Sequence, residues 1–471
     1  MHIAGKSAPS LCVCGGVRTF PLTRWAVPKA ELQSEGCQLT RKKGCGILNG
    51  NELGKAKRGG GYAETFAECC GMRLQTHGNA FCCAPPPSTE SAIVRVLIAV
   101  ALTAGFLASG AAEVPREFQT GMTWGFAARP GFFASEEARK DVDDMCALGI
   151  RWIVLTPNVW QEQYCSTRQF ADFERSIPDF ELMDIIDYIH RKGMRVQLRP
   201  MLECHDGTGR HGVIVGDDWT RVAGKPRNYC RRWFASMRAR SVWYARLAER
   251  TKCEMYCLDS EFDRFIWKSA EWKDVIAAVR TVYSGPVTSS HTIHCNDFDW
   301  EKVISDRTHW FYDLDILSVS DYTGARPQGC REELSVPEMM RNLEVHRDLL
   351  RRIAKAYGKP MMFGECGCGP RRFQASSPSG CDLRQPIDSQ EQATYYEAFV
   401  RTFKDEPWCH GFYWWCWNDH SLSDSSVEDP EVLSASGVSF RPLGAAQEVL
   451  RRHYAELNAR SFQQPKKGEC Q

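Results

Sequence analysis

Residues 254–293 read EMYCLDSEFDRFIWKSAEWKDVIAAVRTVYSGPVTSSHTI, and this stretch decides the fold. An apolar strand candidate over 254–261 is followed by the amphipathic segment SAEWKDVIAAVRTVYSG and by a second strand candidate over 286–293. Glycine after a helical segment is a usual stop signal. A strand, a helix and a strand in this order predict two parallel strands joined by a helical crossover.

The same unit recurs on both sides of this stretch. Helical segments such as SEEARKDVDDMCALG, with Ser135 in a capping position, and PEMMRNLEVHRDLLRRIAKAYG also end in glycine. Eight strand and helix repeats favour a closed (β/α)8 TIM barrel over an open Rossmann sheet, and no GxGxxG follows the first strand. The six further strand candidates are 119–125, 151–159, 194–202, 314–322, 359–366 and 410–417.

The flanking segments of the 471-residue chain do not follow this pattern. Residues 1–93 are rich in Cys and Gly and have no sustained period, so we predict an irregular extension from a misassigned start, with a Cys-rich prodomain as the alternative. Residues 94–112, VRVLIAVALTAGFLASGAA, predict a signal peptide, and an uncleaved membrane anchor is the alternative. The barrel then takes 113–463 as one domain and leaves a polar tail at 464–471.

Charge and cysteine content narrow the class of protein. Lys plus Arg number 59 against 58 Asp plus Glu, which gives no electrostatic reason to expect nucleic acid or an anionic membrane as partner. Of 22 cysteines, fourteen follow residue 145, and this even number predicts disulfides in a secreted or periplasmic protein. Zinc at Cys366 and Cys368, or at Cys253 and Cys257, is the rival reading, but no paired CxxC knuckles accompany them. We expect a monomer without metal or cofactor.

Two acidic residues close apolar strands at the end of a barrel where active sites lie. Glu261 ends the fourth strand in YCLDSEF, and Glu365 ends the seventh in KPMMFGECG. Hydrolysis of a glycosidic bond uses one carboxyl group to protonate the leaving oxygen and a second to attack or stabilise the anomeric carbon. The sequence therefore predicts a catalytic pair, whereas the ordinary interpretation of each residue is a surface carboxylate.

The order of several short motifs resembles that of clan A retaining glycoside hydrolases, and most of all glycoside hydrolase family 113, the β-mannanase-like barrels. The resemblance covers residues 118–420. The motifs are TWG at 123–125, LRP at 198–200, SEF at 260–262 with Trp272 and VIAAVRTVYSG, LDILSVSDY, FGECG and YWWCW. It implies a secreted retaining enzyme that cleaves a β-linked, mannan-like polysaccharide or oligosaccharide.

The resemblance also implies roles for single residues. Glu261 is the implied general acid/base and Glu365 the implied nucleophile, with Tyr322 donating a hydrogen bond to the latter. Trp415 or Trp417 forms the floor of the sugar subsite, because an indole face stacks on the C–H face of a pyranose. The alternative interpretation of Tyr322, Trp415 and Trp417 is that they pack at the top of the barrel.

Further substrate contacts are predicted around this pair. Many relatives have Asn directly before the acid/base where this chain has Ser260, which reaches less far. The contact with the sugar 2-hydroxyl is therefore predicted either to be lost or to pass to Asn296 or His291. Arg199 is expected beside Glu365, where its charge keeps the carboxylate ionised. The remaining predicted contacts are Trp124 and His205. The long Cys-bearing loops after strands three and seven are predicted to shape the cleft.

Three alternatives stay open at this stage. The same barrel and acids also suit a β-glucanase, a xylanase or a galactanase. A carbohydrate-binding barrel without catalysis is the alternative from another class; in such a protein the changed surroundings, such as Ser260, leave the two acids without a catalytic role. A metal-dependent hydrolase using His291, His294 and the Cys-rich loops would lose activity in chelator.

Overall fold

The computed structural model describes residues 112–216, 221–222, 225–226, 228–293, 299–380, 382, 384–418 and 440–462. The predicted extension at 1–93, the signal segment up to residue 111, the tail at 464–471 and Asn296 lie outside the described residues. These four predictions therefore stay predictions.

The predicted barrel is present. Eight parallel strands close in the order β1-β12-β11-β10-β9-β8-β4-β2. The strands of the described chain are β1 (Gln119–Trp124), β2 (Trp152–Leu155), β3 (Asn158–Gln161), β4 (Arg195–Leu198), β5 (Met201–Cys204), β6 (Arg221–Val222), β7 (Lys225–Pro226), β8 (Met255–Ser260), β9 (Val287–Thr292), β10 (Leu317–Asp321), β11 (Met361–Cys366) and β12 (Cys409–Trp414).

Helices cover the barrel. The first helix begins as predicted, since the Ser135 side chain accepts a hydrogen bond from the Ala138 backbone amide. The described helices are α1 (Glu136–Ala147), α2 (Asp179–Arg191), α3 (Tyr229–Thr251), α4 (Ser269–Arg280), α5 (Trp300–Ser305), α6 (Val336–Leu343), α7 (Arg347–Tyr357), α8 (Ser389–Phe403) and α9 (Ala445–Leu457).

Two predicted strands are each divided in two. Pro157 separates β2 from β3, and Pro200 lies between β4 and β5. Proline has no N–H for the ladder, so the barrel pairing stops there. Beyond the prolines, β3 and β5 pair with each other as a small parallel sheet, with Asn158 opposite Met201. This small sheet carries the loop that follows β5 away from the barrel ladder.

Side chains alternate between the barrel interior and the helix layer. Trp152 and Val154 of β2 join a buried cluster with Met255 and Tyr413, whereas their neighbour Ile153 belongs to the large core under the helices. This period of two follows from strand geometry. This alternation determines which of the predicted residues reach the mouth of the barrel.

The structure bears on two features that the sequence connected with export, disulfides and a membrane anchor. No disulfide joins the eleven cysteines that the structure describes, so the predicted disulfides are not seen in this part of the chain. Within the described ranges, no helix combines the length and the apolar character that a membrane crossing requires.

Candidate active site

Both predicted acids lie at the carboxyl ends of barrel strands. Glu365 belongs to β11, and Glu261 directly follows β8. The β8–β9 ladder shifts register between Cys257 and Ser260, and Glu261 then adopts a left-handed backbone with φ of 62°. Such a conformation is uncommon for a residue with a side chain and is typical of functional sites. The Glu261 amide donates to the Ser290 carbonyl oxygen at 3.0 Å, which holds this turn.

Glu365 is buried and held by three side chains from three other strands. Ser260 Oγ donates to its Oε1 at 2.8 Å, and Tyr322 OH donates to its Oε2 at 3.1 Å. Arg199 Nη1 lies 3.2 Å from Oε1, and both side chains of this ion pair are at most 3% exposed. These contacts fix the carboxylate rotamer.

Arg199 is itself fixed within the barrel mouth. It donates to the Gly364 carbonyl oxygen at 3.2 Å and to Thr123 Oγ1 at 3.4 Å. A Cβ on Gly364 would lie 2.0 Å from Ser318 Oγ, so only glycine lets β11 pass this close to the neighbouring strand. The guanidinium therefore stays beside Glu365, as the sequence predicted.

Glu261 has a different electrostatic environment. Burial and the charge of Glu365 raise the pKa of Glu261 to about 8, although its side chain keeps 18% of its surface exposed. Its cationic neighbour is Arg210, whose Nη2 lies 3.6 Å from Glu261 Oε2. Glu261 thus favours its protonated form, whereas Glu365 is paired with an arginine. Such different environments let one carboxyl group act as an acid and the other as a nucleophile.

Tyr322 closes β10 and faces Glu365. Burial, followed by the charges of Glu365 and Glu261, raises the pKa of Tyr322 well above its usual value. The phenol stays protonated at neutral pH and can only serve as the donor in its hydrogen bond to the carboxylate. This contact is the one that the resemblance implied.

Trp415 is the aromatic residue that the structure brings to the site. Its ring lies 5.0 Å from the Phe126 ring, and the Arg199 Cζ lies 5.8 Å from its centroid. Trp415, Phe126 and Tyr322 belong to one apolar cluster at the barrel mouth. The indole is therefore in place to carry a sugar ring, which remains a prediction.

Trp124 and Trp417, two predicted substrate contacts, lie in the core instead. Trp124 is fully buried against Phe133, because strand alternation points Thr123 inward and Trp124 toward the helices. Trp417 is 2% exposed. Both indoles donate to the carboxylate of Asp141 on α1, at 3.2 and 2.9 Å. They fasten helix to barrel and offer no face to a ligand.

His291 is also a packing residue. It is 1% exposed, its Nδ1 lies 3.4 Å from Asp263 Oδ1, and its ring packs on Trp310. Ser290 before it faces the barrel interior, where it contacts Ser320, so alternation sends the imidazole outward. Its predicted contact with the sugar 2-hydroxyl is corrected accordingly. The other predicted contact for that hydroxyl, Asn296, lies outside the described residues.

His205 lies at the end of the β3–β5 extension. Its Nε2 is 3.1 Å from Asp172 Oδ2, and its ring packs 4.9 Å from Trp160 and 5.7 Å from Phe170. Among the described contacts, none joins it to the two glutamates. Its side chain is 33% exposed, so a sugar contact at a distance from the acids stays a prediction.

The different environments of two tryptophans give a testable contrast. Trp417→Ala should lower the free energy of unfolding by about 3–5 kcal/mol, because it opens a core cavity and removes one of the hydrogen bonds that Asp141 accepts. Trp415→Ala should also lower stability, because Trp415 is 7% exposed. It should in addition raise KM, since its ring lies beside the Arg199 guanidinium at the barrel mouth. Thermal denaturation and steady-state kinetics of the two variants measure this. Equal losses of stability with unchanged KM would contradict the assignment.

Three residues at the site were not found by sequence reasoning. Phe126 lies just beyond the first strand, Glu203 ends β5, and Arg210 lies in the loop after the third strand. The available signals were weak: a carboxylate at a strand end, and a long loop already predicted to shape the cleft. No spacing in the sequence showed that this loop returns an arginine to Glu261.

A (β/α)8 barrel with two glutamates at the ends of its fourth and seventh strands defines the class of glycosidase barrels. The family model of Glycoside Hydrolase Family 113 matches residues 122–431. The chain belongs to this family. It is therefore a glycoside hydrolase.

Two similar solved structures agree with this membership. One, described as a complex of a family 113 β-1,4-mannanase, is 26% identical, covers 72% of this chain and 99% of its own, and has a TM-score of 0.58. The other, a family 113 β-mannanase from Alicyclobacillus acidocaldarius, is 24% identical, covers 72% of this chain and 98% of its own, and has a TM-score of 0.58. None of the curated proteins matches the chain.

Proposed function

We propose that this glycoside hydrolase cleaves β-1,4-linked mannan or its oligosaccharides with retention of configuration. Glu365 is the nucleophile and Glu261 the general acid/base. The observation that carries the proposal is the opposite environment of the two acids. Glu365 is paired with Arg199 and accepts hydrogen bonds from Ser260 and Tyr322, whereas the pKa of Glu261 is raised to about 8 by burial and by Glu365.

In the first step, Glu365 attacks the anomeric carbon while Glu261 gives its proton to the leaving oxygen. The bond to the leaving sugar breaks and an ester to Glu365 forms. The hydrogen bonds from Ser260 and Tyr322 orient the attacking carboxylate before substrate binds, so little reorganisation remains for the reaction itself.

In the second step, water replaces Glu365 at the anomeric carbon. Esterification removes the negative charge of Glu365. After burial itself, this charge is the largest cause of the raised pKa of Glu261, so the pKa falls when the ester forms. Glu261 then releases its proton more readily and takes one from the attacking water. Two inversions restore the original configuration. This course requires a carboxyl separation of about 5 to 5.5 Å.

The mannan substrate is supported by the two similar structures, both described as mannanases of this family. The test offers the full chain defined mannan, glucan, xylan and galactan oligosaccharides and follows the anomeric signals of the products by NMR. We expect cleavage of the mannan series with the β-anomer formed first. Initial release of the α-anomer would overturn the double displacement, and preferred cleavage of another series would overturn the substrate alone.

The pKa of Glu261 predicts the pH dependence. Because the acid must be protonated when substrate binds, Glu261 should set the basic limb of the pH profile. On this limb kcat/KM should be constant below pH 8 and fall tenfold per pH unit well above it. A carboxyl group at its usual pKa would place this limb near pH 4.5. A pH–rate profile with an unactivated oligosaccharide measures the limb. A basic limb below about pH 6 would contradict the environment described here.

We also propose that the enzyme is exported. The proposal is supported by the apolar run and small residues at 94–112 and by the number of cysteines after it. N-terminal sequencing of protein recovered outside the cytoplasm should place the first residue near 113. Mass spectrometry with and without reductant would then detect any disulfides. A product that begins at Met1 and stays in the cytoplasm would refute export.

A further inference from the structure

A third carboxylate and an arginine lie beside the proposed acid. Glu203 ends β5, and Arg210 begins a short 3-10 helix, Arg210–Gly212, in the loop that follows. Arg210 Nη1 forms an ion pair with Glu203 Oε1, and Nη2 lies 3.6 Å from Glu261 Oε2. The two guanidinium nitrogens thus point at two different carboxyl groups.

This group is largely removed from water. The Arg210 side chain is 10% exposed and the side chains of Glu203 and Glu261 are each 18% exposed. The Arg210 Cζ lies 5.8 Å from the Phe126 ring, which closes one side. At such burial a charge is screened less than at the surface, so each partner changes the proton affinity of its neighbours.

The charges around this group are of both signs. Four charges act on Glu261. The negative charges of Glu365 and Asp263 raise its pKa, and the positive charges of Arg210 and Arg199 lower it. Those acting on Arg210 are Glu203, Glu261, Glu365 and Asp259 of β8. Arg199 forms an ion pair with Glu365, whereas Arg210 is the cation that lies within 3.6 Å of Glu261.

We infer that Arg210, held in place by Glu203, is a positioning residue that orients the Glu261 carboxyl group and makes it a better base in the second half of the reaction. The inference rests on the proposed function. Its physical basis is that Arg210 keeps its charge throughout the cycle, whereas Glu365 loses its charge on esterification. Arg210 therefore stabilises ionised Glu261 when water must be activated. In the free enzyme, burial and the charge of Glu365 outweigh this effect and keep the pKa of Glu261 raised to about 8. Glu203 holds the guanidinium in place through their ion pair.

The pair predicts opposite effects for two neutral replacements. Arg210→Gln removes a positive charge, so the pKa of Glu261 should rise and the basic limb of kcat/KM should move up by about one pH unit or more. Glu203→Gln removes a negative charge and leaves Arg210 unbalanced, so the limb should move down. Arg210→Lys keeps the charge and should return the limb toward wild type.

Rates separate the two steps. With an oligomannoside bearing an activated leaving group, the first step needs no acid, and Arg210→Gln should show a burst of leaving group followed by slow turnover. Wild type and Arg210→Lys should show a smaller burst or none. Circular dichroism and thermal denaturation establish that each variant is folded. If Arg210→Gln does not fold, the Glu203→Gln and Arg210→Lys profiles decide.

Basic limbs that coincide with wild type in all folded variants would overturn the inference, because a merely structural arginine changes stability without moving the limb. A burst that is equal in wild type and Arg210→Gln would also overturn it. This failure differs from failure of the proposed function, in which the wild-type enzyme itself releases no sugar from any β-linked oligosaccharide offered.

Discussion

Glu365→Gln is expected to lower kcat on an oligomannoside by roughly 10⁴-fold or more, since the residue that forms the covalent intermediate is lost. Glutamine has the same shape, and its single amide oxygen can still accept one of the two hydrogen bonds that Ser260 and Tyr322 donate to different carboxylate oxygens. Arg199 loses its charged partner, so some stability is lost as well. Release of reducing ends and the far-UV spectrum measure the two effects. A folded variant with most of its activity would end the assignment.

A smaller side chain at the same position identifies the role. Glu365→Ala leaves room for azide, which attacks the anomeric carbon from the face that the carboxylate used. We expect partial recovery of turnover on an activated mannoside, with the α-azide as product. Recovery with the β-azide would mean that Glu365 is the acid/base and that the two assignments must be exchanged.

Glu261→Ala should have an effect that depends on the leaving group. On an oligomannoside, loss of general acid assistance should lower kcat by about 10²- to 10⁴-fold. On an aryl mannoside with an acidic phenol, the first step needs no proton, so the glycosyl-enzyme should accumulate and appear as a mass increase of one sugar residue. The basic limb that we attribute to Glu261 should also disappear.

The matched control for this variant is Asp263→Asn. Asp263 is a buried carboxylate two residues further along that contacts His291 and acts on Glu261 through its charge. Its replacement should retain the leaving-group dependence of wild type. A uniform loss on both substrates in Glu261→Ala, without accumulation of the intermediate, would contradict its role as acid/base.

Sequence reasoning was most successful where strand positions alone decide the answer. The carboxyl ends of the barrel strands meet at the mouth, which is why the sequence predicts Arg199 beside Glu365. The contact of Tyr322 with Glu365 is predicted by the family resemblance. Tyr322 and Arg199 lie 3.1 and 3.2 Å from the Glu365 carboxylate. The partner of Ser260 was not predicted, since the direction of a short side chain depends on the local bulge.

The same reasoning failed where a neighbouring residue faces the other way. Trp124, Trp417 and His291 belong to suitable motifs, yet they are at most 2% exposed. Trp124 and His291 each follow an inward residue, Thr123 or Ser290, and therefore point to the helix layer. Aromatic residues at a strand end predict sugar binding only when the side facing the mouth is known.

By itself, the sequence determined the barrel and the two strand ends that carry the acids, because period, glycine punctuation and strand count are local properties of the chain. Only the tertiary structure decided which side chains meet the acids. Arg210 is 51 residues before Glu261 in the chain, and no local preference records that contact. Its position follows from the prolines that end β2 and β4 and from the small sheet beyond them, a long-range pairing that the folded backbone alone specifies.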